Sequence, residues 1–458
     1  MEVHSTAEDV ENTSQSNSPS NSASNRSTSQ RHQRAMMSGM ALLLQQMRST
    51  ANETKTSVTK ENIAVEKAPE KPKRILPPKS KVEYSQLSSE CRGDLQLTAS
   101  QVVSECFHEN TTPKFGFHPK CPENNYVRSC KFSPKGDFLV CDSEDRMLRI
   151  FGVMDNKLEF CKSFRQGGLI YNLTWDPFGD WIATTSGGDT PIQFWSVDGE
   201  LHASYLGINH LDQIESAYSM AFNQNGERLY AGYKGMIRRF EIERPGKQIS
   251  QLSTYVKGQA SQGTILSCIT TSPSMDGVFA VGSYGSGIGL YSDYTNSCDM
   301  LIPCDTRFVT CIQYSADGQK IFIGGRKTNA IECFDIRSTA KLYAKYERKT
   351  NTNQRYGFQI DSADRFLFTG DSNGQLLVFD LLSTSPEAEW RVPNVTSSVV
   401  SDVSLHPTIP LIATAHGQRV FPQPLASDSD EENNETVKEM NYVEMGKKFD
   451  NSLKLWCF

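Results

Sequence analysis

Phe132-Ser-Pro-Lys-Gly136 and Trp175-Asp-Pro-Phe-Gly179 are two copies of one short pattern: an aromatic residue, then a turn built on Pro and Gly. Weaker copies are anchored at Phe222 (Phe-Asn-Gln-Asn-Gly), Thr271 (Thr-Ser-Pro-Ser), Tyr314 (Tyr-Ser-Ala-Asp-Gly), Ile360 (Ile-Asp-Ser-Ala-Asp) and Leu405 (Leu-His-Pro-Thr). Neighbouring anchors are 43 to 49 residues apart. After each of the first six, at a distance of 18 to 20 residues, the chain reads apolar-x-apolar-aromatic, with Arg239 standing at the second apolar position of the third. These closing segments are Leu148–Phe151, Ile192–Trp195, Ile237–Phe240, Ile288–Tyr291, Ile331–Phe334 and Leu376–Phe379, with Leu453–Trp456 as the seventh. Alternation such as Ile192-Gln-Phe-Trp195 is that of a half-buried strand. Pro and Gly between strands suit a hairpin that needs a preset or positive φ. Four short strands repeated at this period predict an all-β fold, a seven-bladed WD-repeat β-propeller. Only two units, at Asp335 and Asp380, keep the Asp that often follows the closing aromatic, so the repeats are degenerate while their spacing is not.

The seventh unit is longer: its anchor and closing aromatic lie 51 residues apart. The extra length carries Ser427-Asp-Ser-Asp-Glu-Glu432 and reads as an acidic, disordered loop over 425–449, either a solvated loop or a phosphorylated switch. With the chain ending just past Trp456, the last strand needs an N-terminal partner, and Glu105–His118 is the expected outer strand of blade seven. The predicted propeller is therefore 105–458, preceded by a disordered tail over 1–95.

The composition fits one large core plus tails: 458 residues, 37% hydrophobic and 22% charged. Residues 1–60 are rich in Ser, Thr, Asn and Gln, which disfavours a packed core. Met36–Met47 is a short apolar run within that tail, either a transient helix or a partner-binding one, and too short to span a bilayer. No stretch reads as a signal peptide or membrane span. Twelve cysteines occur without CxxC pairs; Cys130, Cys268 and Cys311 fall at strand positions and read as reduced core residues of an intracellular protein. Lys71-Pro-Lys-Arg74, with Lys79 and Lys81, fits a nuclear import signal. The net charge of −6 argues against indiscriminate nucleic-acid binding while leaving room for a local basic face.

The chain has no nucleophile motif, phosphate-binding glycine loop or metal-ligand spacing, and His118, His406 and His416 sit in different repeats. An enzyme is not expected, nor a cofactor or metal. In WD-type blades the loops entering the inner strands and the turns between second and third strands share one rim, the top face. Repeat position puts Arg146, Lys234, Arg326, Lys327 and Arg419 in the second-to-third-strand turns. It puts His210, Lys257 and Arg355 in the entering loops, with Tyr284 and Phe421 as nearby aromatics. Arg and Lys suit phosphates, and aromatics and guanidinium planes suit splayed bases. Structural readings stand beside these. Asp212 can bond within its own loop, Asn353 can cap a turn, Arg419 can pair with an acid, and Tyr284 can pack on its hairpin. Arg238 and Arg239 alternate along a strand, which predicts that one of them points outward.

Several loops go beyond a generic propeller: Asn209-His-Leu-Asp212, Arg244-Pro-Gly246, Gly282-Ser-Tyr-Gly285, Thr352-Asn-Gln-Arg355, Ser404-Leu-His-Pro407 and Ala413-Thr-Ala-His-Gly-Gln-Arg-Val-Phe-Pro422. With Pro122-Glu-Asn124 and the Leu455-Trp-Cys457 ending, residues 120–458 resemble the telomerase Cajal body protein family. The resemblance implies an RNA-binding scaffold that recognises a loop motif in small Cajal body (box H/ACA-type) guide RNA and directs the particle to Cajal bodies in the nucleus. The partners it implies are that RNA, telomerase RNA as a further cargo, ribonucleoprotein core proteins and the cytosolic chaperonin as a folding aid. A monomer without membrane contact is expected. The alternative is a protein-only WD-repeat scaffold that binds peptides on the same face, since fold alone does not choose.

Overall fold

The computed structural model describes residues 76–77, 96–102, 125–258, 260–285, 287–337, 342–350, 352–419 and 450–457. Seven sheets, antiparallel apart from one short parallel pairing in blade two, follow one another, each entered by an inner strand: Val127–Phe132, Ile170–Trp175, Ser219–Phe222, Leu266–Thr271, Val309–Tyr314, Phe358–Ile360 and Val400–Leu405. Six sheets have four strands. Blade two carries two further short strands, Ile214–Glu215 and Gly246–Lys247, both paired to its outer strand Leu201–Ile208. The propeller read from the repeat spacing is the fold. Among the described residues no helix is long and apolar enough to cross a membrane.

Blade-to-blade packing explains the repeated aromatic. Seven core clusters occur, one in each gap between neighbouring blades. Each closing aromatic enters the gap toward the preceding blade. Phe151 packs with Leu411 and Leu453 of blade seven, Phe240 with Phe194 of blade two, and Trp456 with Phe366 of blade six. Burying one such ring contributes roughly 1.5–3 kcal/mol. The turn glycines are also required. Gly136 has φ +87°, and a Cβ there would lie 2.3 Å from the His406 ring, which packs edge-on against Phe132.

Three expectations are corrected. The outer strand of blade seven is Gln96–Val102, not Glu105–His118; it pairs with Ser452–Cys457 from Gln96↔Cys457 to Val102↔Ser452. Besides backbone bonding, the Thr98 hydroxyl donates to the Leu455 carbonyl (3.1 Å), Gln101 Nε2 to the Leu158 carbonyl (3.4 Å), and Ala99 packs against the core. The strand has almost no apolar pattern for a sequence reading to catch, and it lies before the expected start at residue 105. Arg238 and Arg239 both point inward, with exposures of 3% and 8%. Blades pack face to face, so both faces of a middle strand are covered. Arg238 meets Glu215 (2.5 Å) and lies 4.1 Å over the Tyr233 ring, while Arg239 meets Asp293 (2.9 Å). Third, Cys130 and Cys268 are buried as expected, but Cys311 is only half-buried.

The tail over 1–95 (Leu76 and Pro77 apart), Met36–Met47, the basic cluster at 71–81, Glu105–His118, Phe421 and the loop at 425–449 lie outside the described residues. The strands flanking that loop, Leu411–His416 and Ser452–Cys457, are hydrogen-bonded neighbours, as an insertion between two strands requires.

Candidate nucleic-acid interface

The rim made of entering loops and second-to-third-strand turns carries the described candidate residues, all but Phe421, at different distances from the central channel. Arg146 holds φ +65° in the turn after Ser143, and Lys327 holds φ +51° in the corresponding turn of blade five. Lys234, Lys257 and Lys327 are exposed. His210 is exposed at the tip of a loop closed by Asn209, whose Oδ1 accepts from the backbone N of Leu211 (2.8 Å) and of Gln213 (3.1 Å). Asp212 lies 3.8 Å from Lys247. Arg419 is paired with Glu144, the structural alternative for that residue.

Three candidates converge. Tyr284 is half-buried, edge-on to Phe308 of blade five (6.1 Å), and the Arg326 guanidinium stands 5.1 Å over its ring. It thus packs on the neighbouring blade. Arg355 lies in the mouth of the channel, in electrostatic reach of Tyr284, Asp402 and Cys311, and its Nη1 donates to the Tyr171 carbonyl of blade two (3.4 Å). No hydrogen bond or ring contact links His210 or Lys257 to this group among the described residues.

The loop that carries Arg355 is fixed at several points. Arg348 is fully buried beneath it and donates to the Gly357 carbonyl (3.2 Å) and the Thr369 hydroxyl (2.6 Å). Burial pushes its guanidinium down to about 10, which leaves it charged at neutral pH. The hydroxyls of Thr352 and Tyr356 share a 2.8 Å bond, and Gln354 Nε2 donates to the Gly417 carbonyl of blade seven (3.1 Å). A guanidinium held this way needs little reordering to meet a ligand.

The sequence reading missed four mouth residues: Arg128, Tyr171, Tyr218 and Phe308. Tyr171 and Tyr218 are stacked, with centroids 5.3 Å apart and planes at 23°. Phe308 has φ +50° and is 48% exposed. Arg128 Nη1 donates to the Ile170 carbonyl (2.6 Å) and lies 3.7 Å from Asp142, while its Nε lies 3.8 Å from Glu144. A signal existed. Arg128, Tyr171 and Tyr218 each stand four residues before their anchors, at the top of the inner strand. In blades one and two the strand register shifts there, between Val127 and Ser129 and between Ile170 and Asn172. Such bulges re-aim a side chain, and nothing in the residue types announces them.

Among the described residues no group of three or more His, Cys, Asp or Glu is placed to hold a metal ion. Residues 114–152 match the family model described as WD domain, G-beta repeat. The chain is 33% identical over 331 residues to Telomerase Cajal body protein 1 of Mus musculus, covering 67% of this chain and 62% of that protein. It is 32% identical over 369 residues to Telomerase Cajal body protein 1 of Homo sapiens, covering 75% of this chain and 66% of that protein. It is also 28% identical over 286 residues to Guanine nucleotide-binding protein negative regulator 1 of Schizosaccharomyces pombe, covering 55% of this chain and 70% of that protein. The chain thus spans 62–66% of the length of the two mammalian relatives.

Proposed function

We propose, on the premise that this chain belongs to the telomerase Cajal body protein family, that it is an RNA-binding scaffold of small Cajal body, box H/ACA-type ribonucleoproteins. In this reading it recognises a loop in the guide RNA with its top face and accompanies the particle, telomerase included, to the Cajal body in the nucleus. Ribonucleoprotein core proteins are its protein partners there, and the cytosolic chaperonin assists its folding. The observation that carries the reading is the convergence of arginines and aromatics at the channel mouth: Tyr284 under Arg326, and Arg355 bonded to Tyr171, which stacks on Tyr218. Splayed bases are held by such rings and guanidinium planes. Exposed Lys234 and Lys327 farther out suit phosphates.

Crosslinking of the purified full chain, followed by sequencing of the bound RNA, tests the reading directly. Lys234→Ala with Lys327→Ala should weaken many RNAs alike, and each phosphate left without its cation should make the salt slope shallower by about 0.7. Lys135→Ala is the control, since Lys135 sits in the opposite-rim turn of blade one, 3.2 Å from Asp180. Equal losses from the pair and the control, with the fold intact, would remove the assignment of the face. A second reading, a protein-only adaptor, is favoured by the name of the fission-yeast relative, which refers to a guanine nucleotide-binding protein. RNA that stays bound after protein partners are stripped away would exclude it.

A further inference from the structure

The inner strands of neighbouring blades are joined by a recurring tie. The hydroxyls of Ser219, Ser267 and Ser401 each donate to the first inner-strand carbonyl of the following blade, those of Leu266 (2.7 Å), Val309 and Val127 (2.8 Å). Blade one makes the same bond with a guanidinium, Arg128 to Ile170. At the corresponding place blade two has Tyr171, which meets blade three through its ring, on Tyr218. In blade three the inner strand pairs without a shift, and Ser219, one position further on, takes over the tie. Tyr218 is thereby released from it. A tie that one hydroxyl suffices to make has been replaced in this sector by a pair of stacked rings.

The backbone around the pair is cleared for it. A Cβ at Gly187 would lie 2.5 Å from the Tyr171 Oη, so only glycine leaves room for the ring. The charged side chains acting on Tyr218 are acidic, Asp189 and the Arg238-paired Glu215. Attraction here is therefore to a flat π-system rather than to net negative charge. The Tyr171 carbonyl takes one of the five N–H donors of Arg355, leaving the others for the edge of a bound ring.

We infer that the Tyr171–Tyr218 pair is a stacking subsite for a single unpaired nucleobase of the bound RNA, with Arg355 as the residue that meets its edge. The inference rests on the RNA-binding reading above and assigns a base-holding role to residues distinct from the phosphate-binding rim.

The test uses the full-length protein and an unstructured RNA decamer of nine uridines and one central 2-aminopurine, beside the same decamer with an abasic site at that position. Wild-type protein should quench the 2-aminopurine and bind the abasic decamer about tenfold more weakly. Tyr218→Ala should bind both decamers at the abasic level, with an unchanged salt slope because every phosphate keeps its cation. Tyr218→Phe should behave as wild type. Should the alanine variant fail to fold, Tyr218→Leu keeps apolar bulk without an aromatic face and should show the same loss. Wild-type preference for the base that survives in Tyr218→Ala or Tyr218→Leu overturns the subsite and leaves RNA binding standing. Equal wild-type affinity for the two decamers also overturns it. Failure of wild-type protein to bind either decamer overturns the subsite, and the crosslinking experiment then decides whether the RNA-binding reading falls with it.

Discussion

Asp145 directly precedes Arg146 in the top turn of blade one and shows how single residues hold the rim. Its carboxylate takes Arg149 Nη2 (2.5 Å), the Ser143 hydroxyl (2.6 Å), Asn125 Nδ2 (3.0 Å) and the Met147 backbone N (3.0 Å), all buried. Burial alone would raise the Asp145 carboxyl, but the bond and charge of Arg149 outweigh it and hold the group below the usual carboxylate range. Its stabilising contribution is therefore complete above the unfolded carboxylate value and is lost as pH falls through the lower folded value. Asp145→Asn strands the Arg149 charge and should cost about 3–5 kcal/mol in urea unfolding. Replacing Arg149 with Met in the same chain should recover part of that loss; a double variant as unstable as the sum of the singles would refute the pairing account.

Blade seven is the element on which ring closure depends. Its third strand, Ser452–Cys457, buries Leu453 and Leu455 and is covered on its outer side by Gln96–Val102. Removing residues 453–458 should unlatch the blade and lower the melting temperature of the whole propeller. A chain starting at residue 105 should melt below one starting at 96, because the Ser452–Cys457 edge is then unpaired. Equal melting of those two chains would show that the outer strand contributes nothing. The same blade contains a pH-sensitive group. His416 is fully buried, with Nδ1 3.3 Å from Ser452 Oγ and Nε2 without a partner among the described residues. Burial lowers its imidazole to about 3, against the raising influence of Asp450 and with the lowering influence of Lys454. A depressed histidine contributes stability that is complete above about 6.5 and drains away as pH falls toward the folded value. Melting temperature should therefore fall between pH 6 and 4 more steeply in the wild type than in His416→Gln, as read by calorimetry across that range.

At the scale of the molecule, the long segment in blade seven leaves and re-enters between paired strands on the top face. Loop length costs little, about 0.6 kcal/mol per doubling. A chain in which residues 426–448 are replaced by a short Gly/Ser linker should stay soluble and monodisperse with nearly unchanged melting. Aggregation of that chain would mean that the segment packs on the propeller. The ring brings Arg355 of blade six to Tyr171 of blade two, 184 residues apart along the chain, across the channel mouth. This contact exists only because seven blades close into a circle.

The sequence by itself determined the seven blades, their turns and the aromatic of each closing strand, because these features repeat with a period and each carries its own local chemistry: Pro and Gly for turns, alternation for strands, an aromatic for the gap. It also assigned Arg326, Arg355 and Tyr284 to one face, since repeat position alone decides the rim. The outer strand at Gln96–Val102, the inward course of both Arg238 and Arg239, and the mouth formed by Arg128, Tyr171 and Tyr218 were decided by tertiary structure alone. A strand that pairs through its backbone needs no pattern, a middle strand between two packed blades has no outer face, and a bulge turns a side chain through a register shift that residue identities do not record.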